Sequence, residues 1–306
     1  MTLLAENAKK GDLNEVKNLV EKGANIHANC EEALRWSVEY GHFDVVKYLI
    51  KKGANIHDCS ALRLSAREGH LHIVKYLVKK GINIHANSEE ALQSSAFGGH
   101  LNIIKFLVEK GVNIYGNFDN TLQLSARAGH LDVVKYLVKN NRICIHPNEA
   151  FQQSASYGHI DVVKYLEEKG ADIHADSEYA LQRSARNGHL DIVKFFIKKG
   201  ADIHVDSEGP LRLSVKRGHL NVVKLLVERG ADIHCLSNYV LRASAHYGHL
   251  DVMKYLVEKS DTDPEEALRY SYTLDLKTYF LNLLSIRKDN FIYTIDAYIH
   301  EWLWKP

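Results

Sequence analysis

The sequence predicts an all-α solenoid of about ten stacked helix-turn-helix units, each of about 30 residues, with short turn fingers between them. Three observations predict it. The dipeptide Gly-His occurs at Gly41, Gly69, Gly99, Gly129, Gly158, Gly188, Gly218 and Gly248, in steps of 28, 30, 30, 29, 30, 30 and 30 residues. One short apolar segment precedes each Gly-His and another follows it, both of helical length. A single pair of such segments cannot bury its own apolar face, so neighbouring pairs must stack into one continuous core.

The elements follow in order along each copy. The first segment reads like "ALQRSA" and the second like "LDVVKYLVKN". In the second, Leu131, Val134, Leu137 and Val138 recur at helical spacing, with Val133 and Tyr136 on a neighbouring stripe, so this helix packs on more than one side. Asp132 near its start and Lys139 near its end suit the helix dipole. A glycine such as Gly53, Gly170 or Gly200 closes it, as a left-handed C-terminal cap requires. The polar stretch "ADIHADSE" then predicts an extended turn. Gly11 stands one period before Gly41, with Asp12 in the place of His. A degenerate last copy reads "EEALRYSYTLDLKTYFLNLL", and Ile292, Ile295, Ile299 and Leu303 predict a closing helix. The expected organisation is a capping repeat over 1–28, eight repeats over 29–263, and a degenerate repeat with a C-terminal capping helix over 264–306.

With these parts in view, "ALQRSARNGHLDIVKFFIKKGADIH" resembles an ankyrin repeat. The resemblance covers about residues 3–284 and implies a scaffold without catalytic chemistry that binds a partner protein along the concave face of its first helices. The copies depart from the family pattern consistently. They are about three residues shorter than the common 33, they lack Thr-Pro at the first helix except for Pro210, and they carry His where Asn is usual after G-A-D-Ile. This dialect is most similar to the ankyrin arrays of giant amoeba-infecting DNA viruses, which implies a partner in the host and a place in the host cytoplasm. An alternative implied by the family is an adaptor that recruits substrates to a ubiquitin ligase, with 264–306 as the docking segment.

Composition narrows the classes further. A net charge of +1 over 306 residues predicts neither a nucleic-acid nor a membrane partner. No apolar run is long enough to span a bilayer, and the N-terminus lacks the pattern of a signal peptide. Cys30, Cys59, Cys144 and Cys235 form no C-x-x-C pair and read as reduced thiols of an intracellular protein. No phosphate-binding glycine loop, H-E-x-x-H or G-x-S-x-G is present, so no enzyme, cofactor or small-molecule substrate is expected.

Three recurring columns invite a chemical reading. Of the 18 histidines, eight lie in Gly-His and seven follow Ile in the turn. Equivalent residues of stacked helices lie roughly 8–10 Å apart, too far to share one metal ion, so the histidines are expected to bond turn backbone. Ser37, Ser65, Ser95, Ser125, Ser154, Ser184, Ser214 and Ser244 recur once per copy and read as small residues for close helix packing. Lysines recur on the second helix, from Lys17 to Lys254, often three residues after an Asp with which they are expected to pair. The segment "LVERGADIH" also resembles the turn sequences that asparaginyl hydroxylases modify in ankyrin proteins, a lesser expectation.

Positions that are constant from copy to copy serve the stack, and those that vary are free to bind. The two residues before each Gly-His vary most, and the fingers vary next. The candidate partner-binding residues are Tyr40, Arg67, Phe97, Phe118, Arg127, Tyr157, Tyr179, Arg186, Arg217, Tyr239 and Tyr247. Tyr and Arg are the types enriched in interface hot spots.

Overall fold

In the computed structural model, the residues described are 1–57, 60–85, 90–114, 118–140 and 147–260, with 277, 278 and 281. Among them are eighteen α-helices and no strand. The chain divides into two compact units, residues 1–154 with 161–171 and residues 155–160 with 172–306. The expected capping helix beyond 285 and most of the proposed docking segment lie outside the described residues.

The first unit begins with α1 (Leu3–Lys10), α2 (Leu13–Glu21), α3 (Ala28–Glu39), α4 (Phe43–Lys51), α5 (Ala61–Arg67) and α6 (Leu71–Lys79). It continues with α7 (Glu90–Gly98), α8 (Leu101–Glu109), α9 (Phe118–Ala128), α10 (Leu131–Asn140) and most of α11 (Asn148–Tyr157) and α12 (Ile160–Glu168). Odd-numbered helices, the first of each pair, stack on one another from α1 to α9, and even-numbered helices stack from α2 to α10. The second unit holds α13 (Ala175–Asn187), α14 (Leu190–Lys198), α15 (Val205–Arg217), α16 (Leu220–Glu228), α17 (Cys235–His246) and α18 (Leu250–Ser260). Within it α13, α15 and α17 form one row, and α14, α16 and α18 the other.

The second helices bury the two stripes that the sequence showed. Val133, Val134 and Leu137 of α10 are fully buried, as are Ile73, Val74 and Leu77 of α6 and Ile192, Val193 and Phe196 of α14. Each such side chain contributes about 1.5–3 kcal/mol by leaving water. On α10 only Asp132, Lys135, Lys139 and Asn140 are exposed. The serine column is buried in every first helix from α3 to α17, and each hydroxyl donates to a carbonyl of its own helix, Ser184 to Leu181 at 2.9 Å for example. These hydroxyls are packing groups, closed off from solvent. Pro210 sits in the first right-handed turn of α15, where a missing N–H breaks no bond.

The fingers differ from the extended turn that the sequence suggested. Asp176, Ser177 and Glu178 take φ/ψ of 52/47°, 56/55° and 58/32°, a left-handed turn of three residues. Asn29–Glu31, Asp206–Glu208 and Leu236–Asn238 repeat it. The reason is length. An extended finger would carry the chain away from the stack at about 3.3 Å per residue, whereas this one must re-enter a helix within three residues. The turn closes with the Glu208 N–H donating to the His204 carbonyl at 3.2 Å. L-residues pay roughly 1–2 kcal/mol each for this conformation. Ser177→Gly and Ser207→Gly should therefore each stabilise the protein by about 0.5 kcal/mol, after the extra chain entropy of glycine is subtracted. Urea unfolding of each variant checks this, and an unchanged or lower midpoint would contradict the strain.

Candidate protein-binding face

The candidate residues are set by a ladder of histidines. Each Gly-His histidine stands at the N-cap position of its second helix, but its ring does not cap that helix. The ring Nε2–H donates instead to a backbone carbonyl one repeat back. In the first unit His42 reaches Lys9 at 2.8 Å, His70 reaches Glu39 at 2.9 Å, His100 reaches Arg67 at 2.8 Å and His130 reaches Phe97 at 2.9 Å. In the second, His189 reaches Ser156 at 3.0 Å, His219 reaches Arg186 at 3.0 Å and His249 reaches Lys216 at 3.1 Å.

The glycine of one repeat makes room for the histidine of the next. Gly188 has φ +80°, and a methyl group there would lie 2.6 Å from the His219 ring. Asp12 is the informative exception. Its side chain caps its own helix, α2, by accepting from the Glu15 N–H at 3.0 Å. These histidines bond backbone as expected, but the carbonyls belong to the last turn of the preceding repeat's first helix and not to a connecting turn.

The expectation does not hold for the Ile-His column. His27, His174 and His204 bond a carboxylate in their own fingers, Glu31 and Glu178 at 2.5 Å and Glu208 at 2.7 Å. These glutamates are buried, and the Oε2 of each lacks a hydrogen-bond partner. Glu178 Oε1 also accepts the Asp202 N–H of the next repeat at 3.1 Å. Its hydrogen bond, and then its charge, hold the His174 imidazole above the ordinary range, and the hydrogen bond that His204 donates to Glu208 does the same for His204. The signal was present as His and Glu four residues apart. It was passed over because such residues do not meet in an extended turn, and they do meet around a left-handed one.

The lysine column also differs from expectation. Lys47 pairs with Asp44 at 2.9 Å as predicted. Lys75, Lys105, Lys135 and Lys224, however, lie over the rings of Phe106, Tyr136, Tyr165 and Tyr255 on the next second helix, 5.6 to 5.8 Å from their centres. His72, Asn102 and Asn221 stand three residues before Lys75, Lys105 and Lys224, so of these four only Lys135 had an aspartate, Asp132, with which to pair. Asp132 instead accepts its neighbour Val133 N–H at 2.8 Å.

On the first helices, the most exposed large apolar side chains are mainly candidate residues. Tyr40 (48% exposed), Phe97 (37%), Tyr157 (47%), Tyr179 (36%) and Tyr247 (43%) are five of the eight such side chains among the described residues. Those next to Gly-His form one set. In the first unit Tyr40 leans on Trp36 at 6.0 Å and stacks on His42, with the Lys9 ammonium over both aromatic rings. Arg67 lies over Phe97 at 5.8 Å and pairs with Glu68 at 3.6 Å, and Arg127 is exposed. In the second unit Tyr157 and Arg217 are exposed, Arg186 is half-buried, and Lys216 lies over Tyr247 at 5.4 Å.

The finger-end candidates belong to a second set. Tyr179 accepts from Arg183 at 2.8 Å, and Tyr239 is half-buried under Arg212 at 5.2 Å. Phe118 opens α9, and its side chain lies outside the described residues. Sequence reasoning missed Lys9, Arg183, Arg212 and Lys216 as partners of these rings. Arg183 was legible, since it follows Tyr179 by one helical turn. Lys9, Arg212 and Lys216 come from neighbouring repeats.

Among the described residues no helix is long and apolar enough to cross a membrane, and no three His, Cys, Asp or Glu side chains cluster to hold a metal ion. Fold and face together define a helix-pair repeat solenoid that presents a variable surface on an invariant frame. The family comparison names the class. The description "Ankyrin repeats (3 copies)" matches residues 56–117, 115–177 and 151–237, and "Ankyrin repeats (many copies)" matches 27–78 and 212–267. The chain belongs to the ankyrin-repeat family, whose members generally mediate protein–protein interaction as non-enzymatic scaffolds. The crystal structure of the human ASB11 ankyrin repeat domain is similar in fold, with a TM-score of 0.54 and 20% identity over 65% of this chain and 96% of that one. No curated protein matches the chain.

Proposed function

We propose that the chain is an interaction scaffold that binds a partner protein through the exposed face of its first helices, and that it carries out no chemistry of its own. The observation that carries this reading is the placement of Tyr40, Phe97, Tyr157 and Tyr247, all exposed and all beside the Gly-His joint. The histidine bonds hold the backbone there in one register, so the side chains are presented with little ordering entropy left to lose on binding. The variable residues supply specificity, and the invariant Gly-His joint supplies rigidity. We further propose residues 1–28 as the N-terminal cap, 29–263 as eight repeats and 264–306 as the C-terminal cap. On the viral resemblance of the dialect, the partner is a host protein met in the cytoplasm.

Affinity capture from host-cell lysate tests the reading, comparing the natural chain with Tyr157→Ala/Arg186→Ala/Arg217→Ala. A partner held by the natural chain and lost by the variant is the expected result. Interface anchors of these types cost about 2 kcal/mol or more each when truncated. Equal capture by both would move the site off this face.

A further inference from the structure

We propose that, in the second unit, the Gly-His end of the first helices is a cationic docking site for a short, extended, acidic segment of the partner protein. The proposal rests on the reading of this face as protein-binding and names the chemistry of what it takes.

The two positions before Gly-His mix both signs of charge in the first unit and carry cations alone in the second. In the first unit Lys9, Lys10, Arg67 and Arg127 share these positions with Glu39 and Glu68, Lys10 is paired with Glu6 at 2.7 Å and Arg67 with Glu68 at 3.6 Å. In the second unit those positions are Ser156, Tyr157, Arg186, Asn187, Lys216, Arg217, His246 and Tyr247, three fixed cations and no carboxylate. Arg186, Lys216 and Arg217 take part in none of the ion pairs among the described residues.

The arginines one turn back add to the field. Arg183 donates to the Tyr179 hydroxyl at 2.8 Å, Arg212 to the Asp206 carbonyl at 2.9 Å and Arg242 to the Leu236 carbonyl at 3.2 Å, all neutral acceptors. The acids of the first helices in this unit lie at the opposite, finger end, while Asp191 and Asp251 open the second helices just past Gly-His. Glu178 and Glu208 are buried against histidines, and Asp206 accepts from Gln182 at 2.6 Å. The positive field is felt locally. Burial pushes the His219 imidazole below its usual range, its bond to the Arg186 carbonyl opposes this, and the charges of His189, His249 and Arg217 push it further down.

Geometry sets the form of the ligand. The Arg186 and Lys216 carbonyls are tied to successive histidines, so their side chains are held in repeat register. Helix layers lie about 8–10 Å apart, and an extended chain advances about 3.3 Å per residue. Carboxylates at every third residue of an extended segment therefore meet successive repeats, and Tyr157 and Tyr247 bracket the row with rings for its apolar positions. The row is short and the whole chain carries only +1. That favours a short acidic segment over a long polyanion such as RNA.

The test uses the full chain and two fluorescein-labelled peptides of about twelve residues, long enough extended to cross the row. One carries glutamate at every third position, and the other carries glutamine there. Fluorescence anisotropy is read at about 50 and about 300 mM NaCl, a change that more than halves the screening length. The glutamate peptide should bind, weaken with salt, and outbind the glutamine peptide. Arg186→Ala/Lys216→Ala/Arg217→Ala should weaken it roughly tenfold, the product of three exposed ion pairs. Arg186→Lys/Arg217→Lys should keep it, and Lys79→Ala/Lys139→Ala, exposed at the ends of second helices in the first unit, should leave it unchanged. Equal binding of both peptides, or an unaffected triple variant, would overturn the proposal. So would tighter binding of a labelled single-stranded RNA that the same variant abolishes. If the glutamate peptide fails while capture of a partner still depends on Tyr157, Arg186 and Arg217, the acidic chemistry is wrong and the binding face stands.

Discussion

Gly188→Ala is expected to lower the stability of the protein by about 3 kcal/mol, through a left-handed backbone and a blocked ring site. Gly188 has φ +80°, which costs an alanine about 1–2 kcal/mol. The new methyl would also meet His219 at 2.6 Å. The ring must then leave, and its bond to the Arg186 carbonyl goes with it. Gly200→Ala is the control. Its φ is +91°, but nothing lies within 4 Å of the added methyl, so only the backbone cost of about 1 kcal/mol remains. Urea unfolding of the two variants separates the joint from the backbone. In the double variant Gly188→Ala/His219→Ala the steric part should vanish, so the two losses should fall short of adding. Equal losses for Gly188→Ala and Gly200→Ala would show that the histidine ladder contributes nothing. Because Arg186 sits on the freed carbonyl, Gly188→Ala should also weaken partner binding.

Replacing Glu178 and Glu208 with glutamine is expected to flatten the dependence of stability on pH between about 6 and 8. His174 and His204 are bonded to these carboxylates, which raise both imidazoles above their ordinary range. A raised imidazole adds stability that is fully present below the unfolded-state value near 6.5 and is lost as pH rises through the higher folded value. The natural protein should therefore gain stability from these pairs in mild acid. His219 works against the gain, since burial lowers its imidazole and it resists charging as pH falls. The groups facing His204 are Glu208, Asp202 and Asp232, and those facing His174 are Glu178 and Asp172, so the signal belongs to the fingers. Both histidines are more than half exposed, and two such pairs contribute about 1 kcal/mol together. Thermal melts of the natural chain and of Glu178→Gln/Glu208→Gln at the two pH values give the readout. A variant whose melting temperature changes with pH as the natural chain's does would show that the pairs are uncharged partners only.

Much of the fold was legible in the residues themselves. The 30-residue period, the two apolar stripes of helices such as α10 and the closing glycines are local signals, since they report which side chains leave water and where the backbone must turn left-handed. Asp12 in place of His was visible in the sequence, and its role as the N-cap of α2 appeared only with the structure. The candidate face was partly legible too. Variation before Gly-His located Tyr40, Phe97, Tyr157 and Tyr247, and they are exposed.

Only the tertiary structure decided who their partners are. Seven of the Gly-His histidines find a carbonyl 31 or 33 residues earlier, and Lys75, Lys105 and Lys135 find rings in the following repeat. Such pairings depend on the stacking register between repeats, which no local spacing encodes. The left-handed fingers belong to the same class. Three successive non-glycine residues with positive φ run against every local preference. They persist because the stacked helices on either side, and the buried carboxylates of Glu178 and Glu208 within, leave the short finger no other path.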